Sequence, residues 1–259
     1  MSLLLYILVF TLIGGLLSVI AASVFLLIPE ARRQAILPYG VSFAIGSLLS
    51  VTFLGLLPEA LERIGMEGSS RLFLVVLAAL LGFFILEKML LWRHCHASDC
   101  EEHAHTHLHQ PAGTLILFGD GIHNFVDGVL IAAAFMTDIR LGIITGIAVA
   151  AHEIPQEVGD FAILLHSGYT RGSALFWNAI SSLTNIIGAL VTYYGLSDVQ
   201  GLLPYVLAIA AASFIYIAVA DLIPNLHKHV EIEASILQLT MILAGIGLIS
   251  LVHNLLPAH

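Results

Sequence analysis

Two short stretches of the chain concentrate groups that bind cations. One holds Asp120, His123, Asn124 and Asp127, and the other holds His152, Glu153, Gln156, Glu157 and Asp160. Imidazole, carboxylate and carboxamide donors without a thiolate suit Zn²⁺ first, then Fe²⁺, Mn²⁺ or Co²⁺, and match Na⁺ poorly. The spacings of three and four place the first set in one sector of a helix and Glu153, Gln156, Glu157 and Asp160 in another, with His152 at its edge beside Gln156. Neither stretch contains a Lys or Arg, so the anionic cluster wants a bound cation.

The elements that position these residues must lie in a membrane. The chain has 259 residues, of which 59% are hydrophobic and only 10% charged. Soluble domains carry about 25% charge, and disordered segments are poor in apolar residues. Windows of about 19 apolar residues predict eight spanning helices at 3–28, 39–61, 71–93, 114–135, 141–166, 172–195, 203–223 and 235–256. The sequence thus reads as an all-α membrane protein forming one transporter-like domain over 1–259, with both polar stretches inside the fourth and fifth segments. Facing lipid, their five carboxylates would cost on the order of 15 kcal/mol on insertion scales. They must face the bundle interior or water. His123 and His152 fall near the midplane, and the Met136–Arg140 connection makes the two helices antiparallel neighbours. Pro155 predicts a kink beside the ligands and frees the carbonyl of Ala151.

The apolar run from Leu3 to Ile28 lacks a basic leader and is too long for a signal-peptide core, so it reads as a spanning helix. An even helix count puts both termini on one side. Six basic residues in one set of loops (Arg32, Arg33, Lys88, Arg93, Arg171 and Lys228) face three in the other (Arg63, Arg71 and Arg140). The positive-inside rule then places the termini outside the cytoplasm, in a cell (inner) membrane. The net charge of −9, with nine Lys and Arg, excludes a nucleic-acid partner.

Four further features stand out. Leu56-Leu57-Pro58-Glu59 resembles Leu222-Ile223-Pro224-Asn225, which predicts inverted repeats of helices 1 to 3 and 6 to 8 around helices 4 and 5. The polar tract 94–110, placed in the cytoplasm, offers His94, Cys95, His96, Cys100, His103, His105, His107 and His109 for metal contact rather than a disulfide. Asn178, Ser181, Ser182 and Asn185 form a stripe that either completes the site, Asn185 first, or bonds between helices. Asp221 is a candidate for the pathway, alongside Asp120, Glu157 and Asp160.

His123-Asn124-Phe125-Val126-Asp127-Gly128 and His152-Glu153-Ile154-Pro155-Gln156-Glu157-Val158-Gly159-Asp160 resemble the HNFxDG and HExPHExGD signatures of the ZIP (Zrt/Irt-like) metal transporters. The resemblance covers the chain throughout, including the histidine-rich tract after the third helix. It implies a homodimeric importer of Zn²⁺ or another divalent ion such as Cd²⁺, with a binuclear midplane site and helices 1, 4, 5 and 6 moving against the rest. Carried over, His123, His152, Glu153 and Gln156 form one metal position, and Asn124, Asp127, Gln156 and Asn185 the neighbouring one. Gln156 departs from the signature, which has His there.

Three other functions compete. His152-Glu153 begins the HExxH string of an intramembrane metalloprotease, but the second His would be residue 156, which is Gln. His123 and Asp127 match the HxxxD pair of a cation diffusion facilitator exporter, whose soluble domain has no room here. A metal sensor without transport uses the same ligands. No enzyme activity or catalytic cofactor is expected, the metal being the cargo. Gln156 offers one neutral oxygen, so two ions about 3.5 to 4 Å apart would be poorly shielded from one another. Elemental analysis at low free Zn²⁺ should find one tightly bound ion per chain, rising toward two in Gln156→Glu with slower release. Two tight ions in the unmodified chain would refute this.

Overall fold

A computed structural model describes residues 2–96, 110–196, 200–227 and 231–256. These form eight long helices. α1 spans Leu3–Phe25 with a π turn at Ile13–Leu17, and α2 spans Glu30–Ile64 with a π turn at Thr52–Leu56. α3 is Ser69–His96, α4 Gln110–Thr137, α5 Ile139–His166 and α6 Arg171–Leu196. α7 runs from Leu203 to Leu226 with a π turn at Ile217–Leu222, and α8 is Ile232–Leu255. All eight predicted segments are present. The ends differ where polar residues continue a helix past its apolar stretch. α2 begins nine residues earlier than expected, its first turn stabilised by Gln34 Nε2 donating to Glu30 Oε1 at 3.1 Å. α3 continues through His94, Cys95 and His96, so these three sit in a helix rather than a loop. Cys100, His103, His105, His107 and His109 lie outside the described residues.

Seven of these helices are long and apolar enough to cross a membrane. α5 has the length but also carries Arg140, Glu153, Glu157 and Asp160, and it runs unbroken across Pro155. Glu153 and Glu157 are fully buried, so protein rather than lipid surrounds them.

The helices sort into two groups by packing. In one, α4 lies along α6 and α5, and α1 packs on all three; in the other, α2 packs on α8 and α3 on α7; α5 packs on α2 across the boundary between the two. Bare backbone makes the tightest crossings. A Cβ on Gly128 would run into the Asn185 carbonyl, and one on Gly188 into that of Phe125, so α4 and α6 meet with nothing between them. Gly46 and Gly245 do the same for α2 and α8. The resemblance between residues 56–59 and 222–225 has a structural counterpart: in α2 and α7 alike a π turn ends on a leucine and is followed by an apolar residue and a proline. Together with the paired contacts α2 on α8 and α7 on α3, this is compatible with inverted repeats.

Two arginines tie the groups together at the face bearing the α4–α5 turn. Arg63, at the end of α2, donates to the Thr137 carbonyl at 2.8 Å and to Glu59 at 2.7 Å. Arg140, at the start of α5, donates to the His253 carbonyl at 3.4 Å. Thr137 and His253 lie in the last turns of α4 and α8, where carbonyls lack helical donors and the helix dipole is negative. Each group thus caps a helix of the other. Such exposed contacts contribute about 0.5 to 1 kcal/mol apiece. Replacing Arg63 and Arg140 together by Ala should lower the melting temperature of the purified chain by roughly 2–6 °C. Arg71→Ala, on the same face, should leave it unchanged.

Candidate metal centre

α4 and α5 are joined by one residue, Asp138, whose Oδ1 accepts from Leu141 N at 3.0 Å and caps α5. So tight a turn makes the helices antiparallel and puts equal distances from it at equal depths. His123 and His152 are each the fourteenth residue of a 28-residue helix, counting from Gln110 and Ile139. At about 1.5 Å per residue both lie near mid-membrane.

There the structure brings together His123, Asp127, His152 and Glu153, one ligand atom of each lying within 4.8 Å of the others. His123 Nε2 is 3.2 Å from His152 Nε2 and 3.2 Å from Glu153 Oε1. His152 Nε2 is 3.2 Å from Asp127 Oδ2 and 3.7 Å from Glu153 Oε1. Around a tetrahedral Zn²⁺ with bonds of about 2.0–2.1 Å, neighbouring ligand atoms stand about 3.3–3.4 Å apart, close to these separations. His152 is oriented for the purpose. Its Nδ1 lies 3.1 Å from the Ala148 carbonyl, which can only accept, so Nδ1 carries the proton and the Nε2 lone pair faces the cluster.

The charges explain why a cation is wanted. Asp127 and Glu153 are fully buried, and among the described residues no hydrogen-bond donor reaches either carboxylate. The nearest Lys or Arg along α4 or α5 is Arg140, twelve residues or about 18 Å from His152. Buried carboxylates in that condition are costly unless an ion or proton neutralises them.

The other expected residues surround this set. Asn124 is fully buried beside His123 and donates from Nδ2 to Asp120 Oδ1 at 2.9 Å. Asp120 also accepts from Ser181 of α6. Glu157 shares a sector with Glu153 but turns to α6, where Oε1 accepts from Ser182 at 3.0 Å. Asn185 lies against Gly14 and Gly15 in the π turn of α1, and its amide finds no partner among the described residues. Gln156 and Asp160 are half-buried. The resemblance assigned Asp127 to a second metal position, whereas the geometry groups it with both histidines.

A cavity of about 830 Å³ leads away from His123. Asp120, Gln156 and Asp160 line one wall, and Glu87, Tyr216 and Asp221 of α3 and α7 line the facing one. Apart from Val126 and Ser213, which lie just past the helix midpoints, the lining residues lie between mid-membrane and the face that carries the 97–109 connection, so the cavity extends toward that face. Toward the opposite face the path closes on Ile131, Phe135, Leu141 and Ile144, all buried, with the Phe135 ring 5.2 Å from that of Phe10. Glu87 and its hydrogen bond from Tyr216 escaped the sequence reading. An acid within the apolar third segment was the available signal.

Comparison with known proteins identifies the family. A family model for ZIP zinc transporters matches residues 1–112 and 92–253. "Zinc transporter ZIP13" of Pongo abelii is 36% identical over 218 residues, covering 80% of this chain and 63% of the relative. "Zinc transporter foi" of Drosophila melanogaster is 37% identical over 152 residues, covering 56% and 21%. The "Zinc transporter ZIP13 homolog" of the same fly is 32% identical over 267 residues, covering 81% and 75%. The chain therefore spans between about a fifth and three quarters of the length of these relatives. With the family model matching nearly throughout and apolar helices able to cross the bilayer several times, the chain belongs to the ZIP zinc transporter family and is an integral, multi-pass membrane protein.

Proposed function

We propose that this chain carries divalent transition-metal ions, Zn²⁺ first, across the membrane into the cytoplasm. The carrying observation is the midplane set His123, Asp127, His152 and Glu153, whose two buried carboxylates face imidazoles and no Lys or Arg of α4 or α5. A structural metal would satisfy the same charges. The large cavity beside the set favours transport, because it gives an ion a route to one face. The relatives' names, all zinc transporters, support the choice of cargo and speak for a transporter rather than an enzyme. Asn124, Gln156 and Asn185 are proposed for a second, weaker position.

The direction rests on the positive-inside count, by which the open face of the cavity is cytoplasmic. The conformation is then inward-open. Alternating access would close that cavity and part the apolar seal around Phe135 by sliding the group α1, α4, α5 and α6 against α2, α3, α7 and α8. The paired packing within each group supports such a movement, for which the contact of α5 on α2 would be the sliding surface. A homodimer in the cell membrane, and metal contact by the tract 94–110 outside the midplane route, complete the reading.

Uptake of Zn²⁺ into sealed vesicles holding the full chain is the test. His123→Ala or Asp127→Ala should abolish saturable uptake in correctly inserted protein, since each removes a member of the midplane set. Normal uptake by either variant would overturn the site, and absence of uptake by the unmodified chain would overturn transport.

A further inference from the structure

A carboxamide ligand poses a problem that a carboxylate does not. Only its oxygen has a lone pair to give to a metal ion, while its NH₂ end repels one, and the two ends exchange by a half-turn about the side chain's last bond. Something must hold Asn124 the right way round if it is to act as a ligand. Its surroundings supply that restraint. Nδ2 donates to Asp120 Oδ1 at 2.9 Å and to the Asp120 backbone carbonyl at 3.3 Å, which uses both amide hydrogens. The oxygen Oδ1 is left buried and without a partner among the described residues. It belongs to a residue adjoining His123 and one helical turn before Asp127. Asp120 is itself anchored, since its second oxygen accepts from the Ser181 hydroxyl across the α4–α6 contact.

We propose that Asp120 is a positioning residue, which fixes the Asn124 carboxamide so that its oxygen and not its nitrogen is offered to the metal, with Ser181 of α6 holding Asp120 in place. The inference rests on the metal site proposed above. It gives Asp120, which lines the cavity without joining the four-residue set, a task other than binding the ion. Partners of this kind, one bond removed from a metal, typically change affinity by about 10–100-fold when lost.

The test measures KM for Zn²⁺ uptake into vesicles together with the melting temperature of the full chain. Asp120→Ala should raise KM about tenfold. Asp120→Asn keeps an oxygen that can accept from Asn124 and should stay within about threefold of the unmodified chain, on the same scale. The decisive variant is Asn124→Asp, which has oxygen at both ends and needs no orientation. Alone it sets two carboxylates against each other and should impair uptake; combined with Asp120→Ala it should restore KM to within about threefold of normal. If Asp120→Ala does not fold, Asp120→Ser, which refills part of the space but whose hydroxyl sits one bond closer to the backbone and so falls short of Asn124, replaces it in both arms. A normal KM in the Ala or Ser variant would overturn the proposal. So would failure of Asn124→Asp to rescue while the melting temperature falls, since that pattern marks a mere clamp between α4 and α6, and so would an Asp120→Asn variant as impaired as Asp120→Ala. His123→Ala separates the two levels. If it abolishes uptake while these arms fail, the positioning role alone is wrong; if it transports normally, the site falls and the proposal with it.

Discussion

Uncompensated negative charge at mid-membrane is the constraint on which the rest of this structure depends. Asp127 and Glu153 are fully buried and face two imidazoles, not a Lys or Arg. Hydrocarbon cannot solvate them, so α4 and α5 must turn these faces to one another and other helices must cover what remains. The one-residue turn at Asp138 sets their depths, and the fixed tautomer of His152 sets the direction of its lone pair. The glycine crossing at Gly128 and Gly188 then brings α6 close enough for Ser181 and Ser182 to bond Asp120 and Glu157. Hydroxyls of α6 thus bond the outer carboxylates, while the inner pair is left with imidazoles alone.

Much of this was legible in the sequence. Eight apolar windows located the eight helices, and spacings of three and four put Asp120, His123, Asn124 and Asp127 on one face. Helix ends were harder to read, because apolarity reports where lipid ends and not where the helical hydrogen bonds stop; α2 gains a polar first turn and α3 runs on through His96. The partition of ligands was also hidden. Glu153 and Glu157 fall in one broad sector, yet one faces His123 and the other Ser182, a division that depends on how far α5 is rotated against α4 and α6. Rotation is set by side-chain packing across helices, which no single helix encodes. The arginine contacts to Thr137 and His253 were illegible for a different reason: the acceptors are main-chain carbonyls, present at every position and marked by no residue type.

Those arginines bear on the topology. Arg63 and Arg140 are two of the three basic residues counted on the side opposite the cavity mouth, and both are occupied with helix ends. Their presence there answers a local need for donors, which lessens the weight they carry against the orientation deduced from loop charge. The basic residues on the cavity side include Arg32, exposed, and Arg33, half-buried, in the first turn of α2.

The shortfall of apolarity in α5 reaches into how the protein is made. A segment carrying Glu153, Glu157 and Asp160 meets a penalty of roughly 2.5 to 3.5 kcal/mol for each acid near the bilayer centre, and it is poorly suited to partition from the insertion machinery alone. With only Asp138 between them, α4 and α5 have no slack to enter separately. They are suited to enter as a hairpin, acid against imidazole, with Ser181 and Ser182 of α6 adding their contacts to that pair. In such a hairpin the acid-bearing faces of α4 and α5 would meet before α6 encloses them, and a divalent ion held between them at that moment would act as a folding partner.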